Sequence, residues 1–316
     1  MSPSGIDIQA TTFCHGGTNG IALGSGSHSE LRTRRDIYRA LQLLQALVKR
    51  RFNVAGLTTN IVGDVQASKA EAFSRLHVPG DPVVLYNVWD AGSAQTVAKA
   101  GAKAIATSSW AVAKAHGSED GERIPYEDAI RNLREIAAAV DLPVSFDLES
   151  GYGETPEAVS RSISLAIGAG AIGCNIEDRL PGTGSIRDAL LQAARIRSAR
   201  RAASESKVSF FINARTDLFF QGPSVPHDEA LLARLIERSH AYAEAGASGL
   251  FVPGLAAVDL IAELTKQSSL PINILTDSPE TVRLLADIGV ARISYGAGPY
   301  IESLRALEQA ARAALN

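Results

Sequence analysis

Between Pro82 and the C-terminus, short apolar runs rich in β-branched residues alternate eight times with stretches of helical periodicity. The runs Val83–Asn87, Ala104–Ser108, Val144–Asp147, Ile172–Glu177, Val208–Asn213, Gly249–Val252, Ile272–Leu275 and Arg292–Tyr295 have the length and composition of buried strands. Helices are expected near 91–100, 126–140, 155–168, 187–203, 227–245, 256–267, 279–287 and 299–314. Four joints nearly repeat one another: AGAKAIAT, AGAIGCNI, AGASGLFV and IGVARISY. In each, a glycine ends a helix and a tight turn leads into the next strand. Strict alternation makes an α/β fold. Eight units in about 235 residues match a (β/α)8 TIM-type barrel, which typically takes about 250. The competing open, doubly wound sheet would carry a glycine-rich fingerprint after its first strand. That position reads NVWDAGSA instead.

The residues before this pattern differ in kind. Residues 1–29 are rich in Gly, Ser and Thr and lack any period, as in a flexible arm. Ser29 would cap an amphipathic helix over 30–52, in which Ile37, Leu41, Leu44 and Val48 fall at helical spacing. Residues 53–70 read as linker, so the expected division is an arm plus helix at 1–70 and a catalytic barrel domain at 71–316. Met1 is the only methionine, and a start at a valine such as Val65 would make residues 1–64 dispensable. Charge follows the same division: residues 1–80 hold 9 Lys+Arg against 5 Asp+Glu, a net of +4, which in a chain of −3 leaves −7 for the rest. Nothing in this balance points to a nucleic-acid partner. No apolar run approaches the ~18 residues of a membrane span, and the first 30 residues lack a basic and a hydrophobic region, so no secretory signal is expected. Cys14 and Cys174 make neither a disulfide framework nor a zinc set, so a reducing, cytoplasmic setting is expected.

In a barrel, function collects at the C-terminal ends of the strands. Those ends carry Asn87 and Asp90, then Ser108 and Ser109, then Asp147 and Glu149, then Asn175, Glu177 and Asp178, then Asn213, Arg215 and Asp217, with Asn273 on the seventh strand. Asp147 and Glu149 lie two apart in VSFDLESGYG, so strand pleating would project both to one side. Two acids on one face repel unless a cation lies between them; the plain alternative is a solvated loop start. Glu177 supplies a third acid, and an all-oxygen set suits Mg2+ or Mn2+ better than zinc. The six histidines are scattered and form no metal pair. Arg215 can clamp a carboxylate through two parallel hydrogen bonds, or serve as an ion partner of Asp217. The segment 110–125, WAVAKAHGSEDGERIP, is long enough to be a rim loop or lid, with Asp120 as its most chemical residue.

At these positions YNVWDAGSA, Ser108–Ser109, HGSEDGE, FDLESGYG, NIEDR and INARTD together resemble the isocitrate lyase/phosphoenolpyruvate mutase superfamily, from about Phe73 to the C-terminus. The resemblance implies an enzyme that uses Mg2+ to cleave or form a C–C or P–C bond beside the enolate of a 2-oxo acid. It implies that Asp147, Glu149 and Glu177 hold the metal, partly through water. The Ser108 and Ser109 N–H groups would bind the substrate carboxylate, Asp120 would lie over the reacting atom, and Arg215 would neutralise the enolate. Tyr86, Asn213 and Asn273 complete the candidate substrate contacts. It also implies a homo-oligomer, dimer or tetramer, whose last helix packs on a neighbouring subunit.

The chain departs from the pattern in one loop. Members that split isocitrate or 2-methylisocitrate carry a Lys-Arg-Cys-Gly-His or Lys-Lys-Cys-Gly-His loop after the fourth strand, whereas this chain has DRLPGTGSIRD at 178–188, with no Cys or His. Cys174 precedes the metal acid and is expected to face away from it. The leading expectation is therefore an Mg2+-dependent lyase that decarboxylates, or cleaves by retro-aldol, a small 2-oxo or 2-hydroxy dicarboxylate. Phosphonopyruvate mutase or hydrolase chemistry and a non-catalytic barrel subunit are the alternatives. Tyr295–Gly298, with two glycines, is a weaker candidate for a phosphate loop.

Overall fold

The computed structural model describes residues 63–222 and 225–316. The arm at 1–29 and the helix at 30–52 lie outside the described residues. Helix α1 covers 63–75, so residues 63–70, expected as linker, are helical. There follow β1 (Val83–Leu85), α2 (Ala91–Lys99), β2 (Ile105–Ala106), α3 (Ser109–Ala115), α4 (Tyr126–Ala139), β3 (Val144–Asp147), α5 (Pro156–Gly168) and β4 (Gly173–Glu177). The second half comprises α6 (Ala189–Glu205), β5 (Phe211–Arg215), α7 (Glu229–Glu244), β6 (Gly249–Val252), α8 (Val258–Gln267), β7 (Ile272–Leu275), α9 (Thr281–Asp287), β8 (Arg292–Ser294) and α10 (Gly298–Leu315).

All eight strands are parallel in the order β1-β8-β7-β6-β5-β4-β3-β2. The two ends of that order meet just past the strands. Val88 bridges Thr107, with its N–H donating to the Ala106 carbonyl at 2.9 Å and its carbonyl accepting the Ser108 N–H at 3.1 Å. Asn87 reinforces the seam: its side-chain amide donates to the Thr107 carbonyl and its oxygen accepts the Tyr295 and Gly296 N–H groups. The barrel closes, which excludes the open sheet. The same bonds occupy two backbone donors that a phosphate loop at Tyr295–Gly298 would need.

The joints form for the reason their repeats suggest. Gly170 and Gly246 have φ of +103° and +95°, the left-handed region where a side chain is strained. A Cβ on Gly170 would also meet Ala137 Cβ at 2.9 Å, so this turn sets how closely α4 and α5 approach. Helix starts are marked by side-chain caps: Asp90 and Ser93 form a capping box on α2, Thr155 caps α5, and Asp228 caps α7. The N-terminal end of the barrel is plugged from α1. Phe73 is fully buried edge-on to Phe211, and His77 stacks on Phe211 at 3.9 Å. Gln66 donates to the Ile167 and Ala171 carbonyls, both at 2.8 Å.

Two boundaries differ from the sequence expectation in ways that matter for the site. The fifth strand is Phe211–Arg215 rather than Val208–Asn213, so Arg215 belongs to the sheet itself. The long segment after β2 begins with a helical turn, α3, capped by the Ser108 hydroxyl. Only the remainder, 116–125, is loop.

Candidate active site

Parallel register builds the site in two levels. Asp147, Asn175 and Asn213 are lateral neighbours on β3, β4 and β5, and two residues further on Glu177 faces Arg215. On the lower level Asn175 donates to Asp147 Oδ1 at 3.3 Å, and its own oxygen accepts from Asn213 at 2.9 Å and from Arg292 at 3.3 Å. Asn213 is thus interior scaffolding. Asn273, also buried, accepts from Ser294 Oγ within the barrel. On the upper level Arg215 bridges Glu177 at 3.0 Å and grips Asp217 through Nε at 2.6 Å and a terminal nitrogen at 2.9 Å. Arg215 is both the expected cation at the site and the ion partner of Asp217.

Glu149 arrives by a different route from the one its spacing suggests. β3 ends at Asp147, and Glu149 has φ +52°, so strand pleating does not set its direction. It is aimed by a reciprocal clasp with the loop after α3. Glu149 Oε2 accepts the Gly121 and Glu122 N–H groups at 2.9 and 2.5 Å, and Oε1 accepts the Tyr152 hydroxyl at 2.9 Å. In return Glu122 accepts the Ser150 hydroxyl and the Tyr152 N–H at 2.6 and 2.8 Å. Glu122, Ser150 and Tyr152 were not singled out from the sequence; the EDGE and ESGYG clusters were the available signal. The clasp carries Asp120 into a cavity of about 380 Å³ that Glu149, Glu177 and Arg215 also line.

The electrostatics are those of an anion-crowded pocket. Burial, and then the charge of Asp147, push the Asp120 carboxyl above its ordinary range. Burial and Asp120 push Glu149 up to about 7. Glu177 is held well above the usual carboxylate range by burial, against the pull of Arg215. Burial disfavours the Arg215 cation, but Glu177 and Asp217 outweigh it and raise its pKa further. Arg215 is already shared by Glu177 and Asp217, which leaves Asp120 and Glu149 without an ion pair among the described residues. Among the described residues no three His, Cys, Asp or Glu side chains converge tightly enough to chelate an ion directly. An oxygen-only set fits a hydrated Mg2+, which commonly keeps several waters, with Asp147, Glu149 and Glu177 as its candidate holders.

Other expected residues lie elsewhere. The Ser108 N–H is spent on barrel closure and the Ser109 N–H donates to Asp147 Oδ2 at 3.0 Å, so the expected carboxylate seat on this pair is occupied from within; the Ser109 hydroxyl serves Asp120. Tyr86 is on the barrel exterior, 38% exposed, and donates to Glu302 of α10 at 3.0 Å. Its position just past β1, one residue out of phase with the buried Leu85, turns it outward. Cys174 packs in the apolar layer, where burial pushes its thiol up. Segment 178–188 forms a tight hairpin: Arg179 bridges Ile186, the Leu180 N–H donates to the Ser185 carbonyl, and the Arg187 N–H donates to that of Asp178. Its turn lines the same cavity as Asp120. Asp178 itself points into the fold, bonded to the Asp217 N–H, Arg238 and Tyr242.

Comparison with known proteins places this geometry. The phosphoenolpyruvate phosphomutase family model matches residues 73–315. A phosphonomutase-like protein from Burkholderia cenocepacia J2315 has a solved structure 49% identical to this chain, with a TM-score of 0.76, covering 79% of this chain and 99% of that one. The 2-methylisocitrate lyase of Escherichia coli (strain K12) is 27% identical over 261 residues, 79% of this chain and 84% of the relative. A phosphonopyruvate hydrolase solved with oxalate and Mg2+ shares the fold, with a TM-score of 0.67 at 19% identity over 76% of this chain and 84% of that one. The chain belongs to the phosphoenolpyruvate phosphomutase family, a (β/α)8-barrel enzyme group of the isocitrate lyase/PEP mutase superfamily.

Proposed function

We propose that this enzyme is an Mg2+-dependent lyase that breaks a C–C bond of a small 2-oxo or 2-hydroxy dicarboxylate. The observation that carries the reading is the convergence of Asp120, Glu149, Glu177 and Arg215 on one cavity at the C-terminal rim, with Asp147 bonded just beneath. In decarboxylation of a 2-oxo diacid, the bond from C3 to the distal carboxyl breaks and its electron pair passes to the 2-oxo oxygen. Carbon dioxide leaves, and C3 then takes a proton. A bound Mg2+ would supply Lewis-acid stabilisation of charge on that oxygen. Arg215 is fixed by Glu177 and Asp217, so it offers a cation that needs no reorganisation as charge develops. Asp120, with its raised proton affinity, is placed to orient the substrate or to carry the proton. Assay of the full chain with Mg2+ against C4–C7 oxo and hydroxy diacids is expected to release a pyruvate-type acid. No product from any of them would sink the proposal.

The phosphonomutase-like relative favours a second reading, cleavage or migration of a P–C bond in phosphonopyruvate. Phosphorus NMR with that substrate separates the two, since only this reading moves the phosphorus resonance.

We also infer a homo-oligomer. In α10 only Pro299 is buried, and Leu304 and Leu307 are 46% and 64% exposed. An apolar groove beside β1 and α2, lined by Val84, Tyr86 and Val97, is open on the same chain. Sedimentation is expected to give a dimer or tetramer that Leu307→Glu weakens. A monomeric wild type would refute this. No described helix is long and apolar enough to cross a membrane.

A further inference from the structure

The guanidinium of Arg179 projects to the cavity from the hairpin after β4, and the site as described leaves it almost unused. Among the described residues its one ion partner is Asp217, at 3.7 Å, through an oxygen that already accepts from Arg215 at 2.9 Å. Among the described residues its side chain makes no hydrogen bond within range, although it is only 41% exposed. The hairpin is nevertheless shaped around it. Gly184 has φ +71°, and a Cβ there would stand 3.0 Å from an Arg179 terminal nitrogen, so the glycine leaves the space in which the guanidinium sits. Glu177, Arg215, Asp217 and Arg179 form a chain of alternating charge, of which Glu177, Arg215 and Arg179 line the cavity.

We propose that Arg179 is the specificity residue of this site: it reads the carboxylate at the far end of the diacid, while Arg215 serves the enolate end. The inference rests on the lyase reading above and adds which group selects the substrate. A planar, partly desolvated fork with spare donors suits a bidentate carboxylate. A singly charged carboxylate also matches one spare guanidinium in a pocket already rich in acids, where a doubly charged phosphonate would meet more repulsion. Arg123 also lines the cavity but is solvent-exposed, so its charge is screened.

The test uses the full chain with Mg2+ and two probes: oxalate, which fills only the enolate end, and the diacid turned over best by wild type. Arg179→Gln is expected to raise KM for the diacid about 100-fold, with kcat changed far less and oxalate inhibition within about twofold. Arg179→Lys recovers part of the loss, and Gly184→Ala, which crowds the guanidinium without removing it, shifts KM the same way by a smaller factor. Equal losses for oxalate and diacid would show that Arg179 merely steadies Asp217, and would overturn the proposal. So would a selective loss in Arg123→Gln that Arg179→Gln lacks. Wild type that binds no oxalate with Mg2+ overturns the lyase reading itself, and this inference with it.

Discussion

The two ends of the barrel are built from the same strands and follow opposite rules. At the N-terminal end Phe73, His77 and Phe211 pack into an aromatic plug, and its histidine is forced neutral: burial, then Arg292, lower the His77 pKa to about 3. At the C-terminal rim Asp120, Glu149 and Glu177 are crowded together and each is pushed towards higher pKa, by burial first, a cost that a bound cation would relieve. One end contributes stability and the other holds buried, crowded acids at a cost, the division expected where function needs a site that stability alone would not select.

Exchanging the two roles by mutation tests the contrast. Asp147→Asn keeps the shape of the rim and is expected to lower kcat/KM about 10³-fold. Its melting temperature should stay level or rise as repulsion is relieved; a clear fall would show that Asp147 is structural. Phe73→Ala should do the reverse, costing about 3 kcal/mol of stability in denaturant unfolding. Activity per folded molecule should survive it, and a matched loss of activity would mean the ends are coupled.

The pH responses should also run in opposite directions. His77 has a depressed folded pKa, so its contribution is full above about 6.5 and is lost as pH falls towards 3. Between pH 7 and pH 5 it should remove about 2 kcal/mol of stability. The rim acids have raised pKa values and gain stability over that fall, so the His77 share is read as wild type minus His77→Phe. No difference between the two proteins would contradict the plug's electrostatics. At the rim, metal requires the ionised carboxylate, and Glu149 titrates at about 7. Mg2+ affinity by calorimetry should therefore rise roughly tenfold from pH 6 to pH 8. A flat profile would remove Glu149 from the metal site.

Much of the rim is legible in the sequence. Glu177 and Arg215 sit at equivalent ends of successive parallel strands, and parallel register makes such residues neighbours. Glu149 and Asp120 are legible as acids near the rim, but not the way they are aimed. Their placement depends on a left-handed turn and on the Glu122–Glu149 clasp, whose partners are 27 residues apart. Tyr86 and Ser108 show the converse. Each lies in a recognisable motif, yet one faces outward to α10 and the other gives its N–H to the seam.

The sequence by itself determined the eightfold alternation, the glycine turns, and the acids and the arginine at the strand ends. These are local facts, set by periodicity and backbone preference within a few residues. Only the tertiary structure decided which donors were already spent, how the loop bearing Asp120 locks onto Glu149, and that the cysteine-free hairpin points Arg179 at the cavity. Those outcomes rest on hydrogen bonds and packing between residues distant in the chain, where many pairings are chemically possible and closure of the barrel selects one.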